Sequence, residues 1–175
     1  MKKIVVGFIT LMIILITILF QLNVLGQVPF AGVVPNIGIV LITAIAISAG
    51  SFVGGITGFF YGLLIDIICG RFIGLNSLLY LSLGIASGYL KNRVSKDNKM
   101  SLAIMVIVGT IAFEVVNCLC VFLMQNNSFS FSRLIYILFF EELYNLFLTV
   151  VFFRSFMLWG EVLNKSRNNY YSLVQ

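Results

Sequence analysis

Residues 4–65 include no charged side chain, a run of 62 positions. A soluble domain carries charge at about one residue in four. At roughly 20 apolar residues per bilayer crossing, 62 residues leave room for three spans. The rest of the chain follows suit: 61% of its 175 residues are hydrophobic, 10% are charged, and the mean hydropathy is +1.10. No soluble core of this size could hide so much apolar surface, so the chain needs lipid as its solvent. A soluble enzyme, a nucleic-acid-binding domain and a disordered tail are thereby excluded. The apolar runs are continuous rather than alternating, which excludes a closed β-barrel. The expected fold is an all-α integral membrane protein, with residues 1–175 forming a single domain.

Six helices are expected. The first covers residues 4–25. It follows Lys2-Lys3 as a signal peptide would, but its 22 apolar residues exceed the 7–15 of a signal-peptide core and no A-x-A cleavage site follows, so it is read as retained. Residues 26–32, with Pro29, break the pattern. Helix 2 is expected over 33–50, with Pro35 in its first turn, where a missing N–H costs nothing. Gly50-Ser51 makes a tight turn, and helix 3 covers 52–68. After the linker Cys69-Gly70-Arg71 comes helix 4, over 72–90. Residues 91–99 (KNRVSKDNK) form a polar loop, helix 5 covers 101–124, and 125–133 form a second polar loop. Helix 6 covers 134–159, and 160–175 form a polar tail.

Six crossings put both termini on one side, and basic residues choose the side. With the termini in the cytoplasm, Lys2, Lys3, Lys91, Arg93, Lys96, Lys99, Lys165 and Arg167 lie inside, and only Arg71 and Arg133 lie outside. Arg154 sits near the inner end of helix 6 and can snorkel there. Trp159 suits the aromatic belt, and Phe129 and Phe131 suit interfacial anchors.

The chain has no histidine, which removes Ser-His-Asp catalysis, His-Cys zinc sites and His-held haem. Cys69, Cys118 and Cys120 form no C-x-x-C and are read as buried free thiols. No Walker loop and no G-x-G-x-x-G fingerprint is present. No cofactor, metal or catalytic residue is assigned.

Helix 3 carries Gly54, Gly58, Gly62 and Asp66, each four residues after the last; helix 4 carries Asn76, Tyr80, Gly84 and Gly88 at the same step. Four residues turn a helix by about 400°, so each set forms one slowly drifting stripe. Small residues at this spacing let two helices approach backbone to backbone. A short linker joins the two helices, so the stripes can face each other. Generic helix packing is the plain alternative to any further role.

Acids inside a membrane are functional-site candidates by default. At 1.5 Å per residue, Asp66 lies about 21 Å from the inner end of helix 3 and Glu114 about 20 Å along helix 5. Glu141 and Glu142 lie about 10–12 Å below the outer end of helix 6. All four fall in one layer, with no Lys or Arg at that depth. Either some are neutral, or they line a wet outer cavity, or a partner supplies positive charge. An ordinary interfacial rim is the remaining alternative. Glu141 and Glu142 are adjacent and point about 100° apart, so they make no catalytic dyad. A buried Asp66 needs a polar contact, with Asn76 and Tyr80 as candidates. If that contact is hydrogen-bonded packing, Asp66→Asn should be tolerated and Asp66→Leu should not; if a partner's cation needs the charge, both should fail.

The stretch 35–88 resembles the rod shape-determining protein MreD family. Pro35-Asn36 opens helix 2; Gly58-Phe59 and Gly62-Leu63 are followed by Asp66 and Gly70; then come Gly74-Leu75-Asn76, Leu79-Tyr80, Gly84 and Gly88. Length, span count and the basic loop after helix 4 also fit. Helices 1, 5 and 6 match in hydropathy and length only, so Glu114, Glu141 and Glu142 gain nothing from the resemblance. It implies a non-enzymatic subunit of the bacterial cell-elongation machinery in the cytoplasmic membrane. Such a subunit sits beside MreC and links MreB filaments to peptidoglycan synthesis by RodA and a penicillin-binding transpeptidase. The size and the outward polar layer also suit the substrate-binding subunit of an energy-coupling-factor vitamin transporter, whose fold the MreD family resembles. Those subunits couple through small residues on helix 1, often A-x-x-x-A, whereas here Gly7 is the only Gly or Ala of helix 1. A neighbouring gene for an MreC-like protein would favour the first reading, and vitamin-salvage genes the second.

Overall fold

The computed structural model describes residues 2–27, 32–69, 73–89, 99–125 and 131–171. Gly70, Pro29, Arg71, Phe129 and the basic loop at 91–98 lie outside the described residues. Among the described residues there are six α-helices: α1 (Lys2–Phe20), α2 (Ile37–Ala49), α3 (Ser51–Cys69), α4 (Leu75–Tyr89), α5 (Lys99–Gln125) and α6 (Phe131–Tyr171). A π-helical turn, Gln21–Leu25, continues α1 to the boundary expected from sequence. Four segments are long and apolar enough to cross a bilayer: Val5–Leu25, Ser51–Cys69, Leu102–Cys120 and Ser132–Ser166.

α2 is the axis of the bundle. Its sequence, IGIVLITAIAISA, is apolar on every side, and a helix of that kind must be enclosed. All thirteen of its residues are buried, against α3, α4, α5 and α6. It begins at Ile37, four residues later than the expected start. The residue before a proline is pushed to extended backbone, which keeps Val34 out of the helix. Asn36 then caps α2, its side chain accepting from the Ile39 N–H at 3.4 Å. Pro35 therefore precedes the cap instead of sitting in the first turn.

Gly50 turns the chain from α2 into α3 with φ 96, and its N–H donates to the Ala46 carbonyl at 2.7 Å. α4 starts at Leu75 after Gly74, whose φ of 102 no L side chain adopts readily. α6 differs most from expectation. It runs on through Gly160 to Tyr171, 41 residues, so the expected polar tail is helical up to residue 171. Gly160 is no stop: a Cβ there would strike the Ser48 hydroxyl, so this glycine serves close contact with α2. Glu161 and Lys165, four apart in the favourable order, support the extension.

The three cysteines are free, but Cys69 is exposed and Cys118 and Cys120 are half-buried, so the expectation of buried thiols is corrected. Lipid accepts a thiol as readily as a core does, and the helix surface leaves them there.

Candidate functional site

The α3–α4 seam is the most extensive helix contact among the described residues, and its register is regular. A Cβ on Gly62 would collide with the Asn76 carbonyl, and one on Gly58 with the Tyr80 carbonyl. One on Gly54 would come within 2.9 Å of the Gly84 carbonyl, and one on Gly88 would collide with the Ser51 backbone. Each step of four up α3 is thus a step of four down α4. The two helices are in backbone contact, as small residues in membrane helices permit. Asn76 and Tyr80 offer their backbone carbonyls to this contact, which leaves both side chains free for hydrogen bonds.

Asp66, 2% exposed, lies at the end of this seam. Its carboxylate accepts five hydrogen bonds. Gly74 N–H donates at 2.9 Å, Ser77 N–H at 3.1 Å and Ser77 Oγ at 2.8 Å to one oxygen; Asn76 N–H at 3.2 Å and Asn76 Nδ2 at 2.9 Å donate to the other. Three of these donors are first-turn amides of α4, or the residue just before it, that no helical carbonyl can satisfy. Asp66 is therefore a cap supplied by the neighbouring helix, with its charge at the positive end of the α4 dipole. Of the two contacts expected from sequence, Asn76 makes one and Tyr80 does not.

Tyr80 reaches across to the extended lead-in of α2. Its hydroxyl donates to Asn36 Oδ1 at 2.6 Å. Asn36 N–H donates to Asn145 Oδ1 of α6 at 2.9 Å, and Asn145 Nδ2 donates to Thr110 Oγ1 of α5 at 3.0 Å. One chain of polar groups thus ties α2, α4, α5 and α6 together. Backbone that leaves helical geometry at membrane depth must be satisfied by buried protein groups, and Asn145 does this for Asn36. Tyr61 packs edge-on against Tyr80, with centroids 4.9 Å apart, and its hydroxyl donates to Gln21 Oε1 at 3.1 Å. The π-helical turn is what brings Gln21 there, and such turns recur at functional positions.

Beside this network lies a cavity of about 250 Å³, lined by Gln21, Gly32, Asn36, Glu114, Ile137 and Glu141 among others. The carboxyl groups of Glu114 and Glu141 lie on its wall within hydrogen-bonding reach of each other, with Asn117 beside the first and Asn145 beside the second. Glu141 is only 3% exposed. Glu142, the next residue, does not line the cavity. The four acids therefore divide: Asp66 caps α4, Glu114 and Glu141 share the cavity, and Glu142 stands apart. Among the described residues, no three His, Cys, Asp or Glu side chains gather as a metal site.

Sequence reasoning missed Asn145, Thr110, Gln21 and Ser77. A signal for two of them existed. Thr110 is four residues before Glu114, and Asn145 four after Glu141, so each shares a helix face with an acid inside an apolar span. Gly38 was also missed; a Cβ there would enter the Tyr61 ring.

No curated protein and no solved structure matches the chain, so the relation to energy-coupling-factor subunits finds no support among solved folds. The family model for rod shape-determining protein MreD matches residues 1–164. That match takes in α1, α5 and most of α6 as well as the glycine seam: the chain belongs to the MreD family, membrane proteins of the MreB/MreC cell-shape machinery.

Proposed function

We propose that this protein is a non-enzymatic subunit of the cell-elongation complex, joining MreC and MreB to peptidoglycan synthesis by RodA and a penicillin-binding transpeptidase. The observation that carries this reading is the family match over residues 1–164. The structure supplies a physical basis for a scaffold: α2, α3 and α4 form a rigid centre, and long apolar faces of α1, α5 and α6 are left for lipid or partner helices. The residues Pro35, Asn36, Gly54, Gly58, Gly62, Asp66, Gly74, Asn76, Tyr80, Gly84 and Gly88 build that centre, and Glu114 with Glu141 gives it one polar recess.

Six crossings follow if α2 and α4 span together with their lead-ins. Thirteen helical residues rise about 20 Å, and four extended residues add about 13 Å, enough for a core about 30 Å thick. Both termini then lie in the cytoplasm by the distribution of basic residues. A cysteine at Asn98 in a cysteine-free background should resist labelling from outside the cell, and one at Ser128 should react; outside labelling at 98 would invert the topology.

The functional test is depletion in a rod-shaped host. Cells should round up, the wild-type chain should restore rods, and an MreC-like protein should co-purify with it. Rods that persist after full depletion, with no second copy, would remove the elongation reading.

A further inference from the structure

Helix register brings Glu114 and Glu141 together. Asn145 Nδ2 of α6 donates to Thr110 Oγ1 of α5 at 3.0 Å. One turn further along α5 comes Glu114, and one turn back along α6 comes Glu141, so the two acids form the next rung between the same helices. Both line the recess of about 250 Å³, and their carboxyl groups are in hydrogen-bonding contact.

An ionised carboxylate only accepts hydrogen bonds, whereas a protonated carboxyl has one O–H to give. Two carboxyls in hydrogen-bonding contact therefore need a proton between them. The neighbouring groups do not remove that need. Asn145 is oriented by the Asn36 N–H, which donates to its Oδ1 at 2.9 Å, so its NH₂ is turned toward Thr110 and Glu141. That amide satisfies one Glu141 oxygen but neutralises no charge, and Asn117 does the same for Glu114. Among the described residues, the titratable groups that face the pair are Tyr80 of α4 and Glu142 of α6, and neither carries positive charge. The lead-in of α2 and the turn after α1 bring only the neutral Asn36 and Gln21. On α6 the nearest basic residues, Arg133 and Arg154, stand about 12 Å and 20 Å along the helix from Glu141. Two like charges in contact, enclosed and without a cation, cannot both persist.

We propose that Glu114 and Glu141 are a proton-binding site: they hold one proton in the hydrogen bond between them, and the pair carries a single negative charge. The proton belongs to the pair rather than to either residue. It also sets these acids apart from Asp66, whose five donors satisfy a carboxylate outright. In the pair, the bound proton supplies the donor that no neighbouring side chain provides. The inference rests on the contact between α5 and α6 and stands whether or not the elongation reading does.

The test is infrared spectroscopy of the full-length protein in lipid nanodiscs at about pH 7.5, well above the ordinary carboxylate range. A protonated carboxyl shows a C=O stretching band that an ionised one lacks. The wild type should show this band. Glu114→Gln and Glu141→Gln should each abolish it, because an amide NH₂ then takes the donor's place and the surviving acid ionises. Glu142→Gln should keep it. Glutamate carrying heavy carbon at its side-chain carboxyl should shift the wild-type band, which keeps the test decisive where a Gln variant does not fold. Absence of the band from the wild type overturns the proposal. A band that survives in either folded Gln variant of the pair overturns it too, because the proton would then belong to the remaining acid alone. So does a band that Glu142→Gln removes or that the glutamate label leaves unmoved.

Discussion

The two halves of the bundle solve the same problem differently. Around α2 and along the α3–α4 seam the protein excludes lipid: α2 is wholly enclosed, glycines bring α3 and α4 into backbone contact, and every oxygen of Asp66 is used. In α1, α5 and α6 it accepts lipid: 44% of the α3 span is buried in the protein, but only 17% of the α1 span and 22% of the α6 span. The difference follows from residue size. Glycine at every fourth position removes the side chains that would hold helices apart, and close dispersion contact then replaces the hydrophobic drive that lipid does not provide. Where Leu, Ile and Phe stand at those positions, lipid competes on equal terms and the helices are free to present faces to partners. Polar groups follow the same division. In the first half Asp66, Asn76 and Tyr80 are satisfied internally, although the buried hydroxyls of Thr43 and Ser87 find no partner; in the second half Glu114 and Glu141 line a cavity.

The largest effects should come from breaking the closed half. Gly58→Leu or Gly62→Leu sets a side chain against the backbone of Tyr80 or Asn76, which cannot move as a flexible side chain could. Overpacking of a core costs about 1–3 kcal/mol, occasionally more, and a clash with backbone belongs at the upper end. Size-exclusion profiles and thermal unfolding in detergent should show loss of folded protein. Ala86→Leu on the exposed face of α4 is the control and should unfold near the wild-type temperature. Equal tolerance of these substitutions would show that the seam opens without consequence.

Asp66 comes next, and its five donors change what the packing role predicts for Asn. Hydrogen-bonded packing was expected to tolerate Asn. The carboxylate instead receives five donors, three of them backbone N–H groups. Asn offers one acceptor oxygen and turns an NH₂ toward donors. With a buried N–H left unpaired, Asp66→Asn should destabilise by about 2–4 kcal/mol. Asp66→Leu should do so at least as strongly. Wild-type stability for Asp66→Asn would mean that the cap is dispensable. Gly74→Ala tests the same cap through the backbone: φ 102 strains any side chain, so a loss of about 1–2 kcal/mol is expected in the same unfolding assay.

What the sequence could disclose, and what it could not, follows the same division. The stripe from Gly54 to Gly62 and its counterpart at Gly84 and Gly88 was legible because a four-residue period states which face of a helix is small. The lengths of α2 and α6 were not. α2 is apolar on all sides, so it has no period to mark its ends, and Pro35 suits a first turn as well as the position before a cap. In α6 the residues from Gly160 onward read as a polar tail, yet the helix continues through that glycine, which serves close contact with α2. The bond from Asn36 to Asn145 joins residues 109 apart in the chain, and only the folded path of α6 brings them together. The acids were found by depth alone, which could not separate a carboxylate that caps a helix from two that face a cavity.

The smallest effect, and one of opposite sign, is expected in the open half. Glu114 and Glu141 are enclosed with no cation beside them, so replacing either by Gln keeps its size and hydrogen-bonding capacity while removing an ionisable group from a poorly hydrated place. Burying an ionisable group without an opposite charge costs free energy, and a neutral amide of the same size avoids that cost. Glu141→Gln should therefore unfold at the wild-type temperature or slightly above it, in contrast to Asp66→Asn. The same variant separates packing from function. If the recess receives a cation from a partner, Glu141→Gln protein will be folded and abundant, yet will fail to restore rod shape and will lose its MreC-like partner on purification. If the recess only fills space, rods will return. Destabilisation of Glu141→Gln as severe as that of Asp66→Asn would erase the distinction between the two halves, because the cavity acids would then hold the fold together as the cap does.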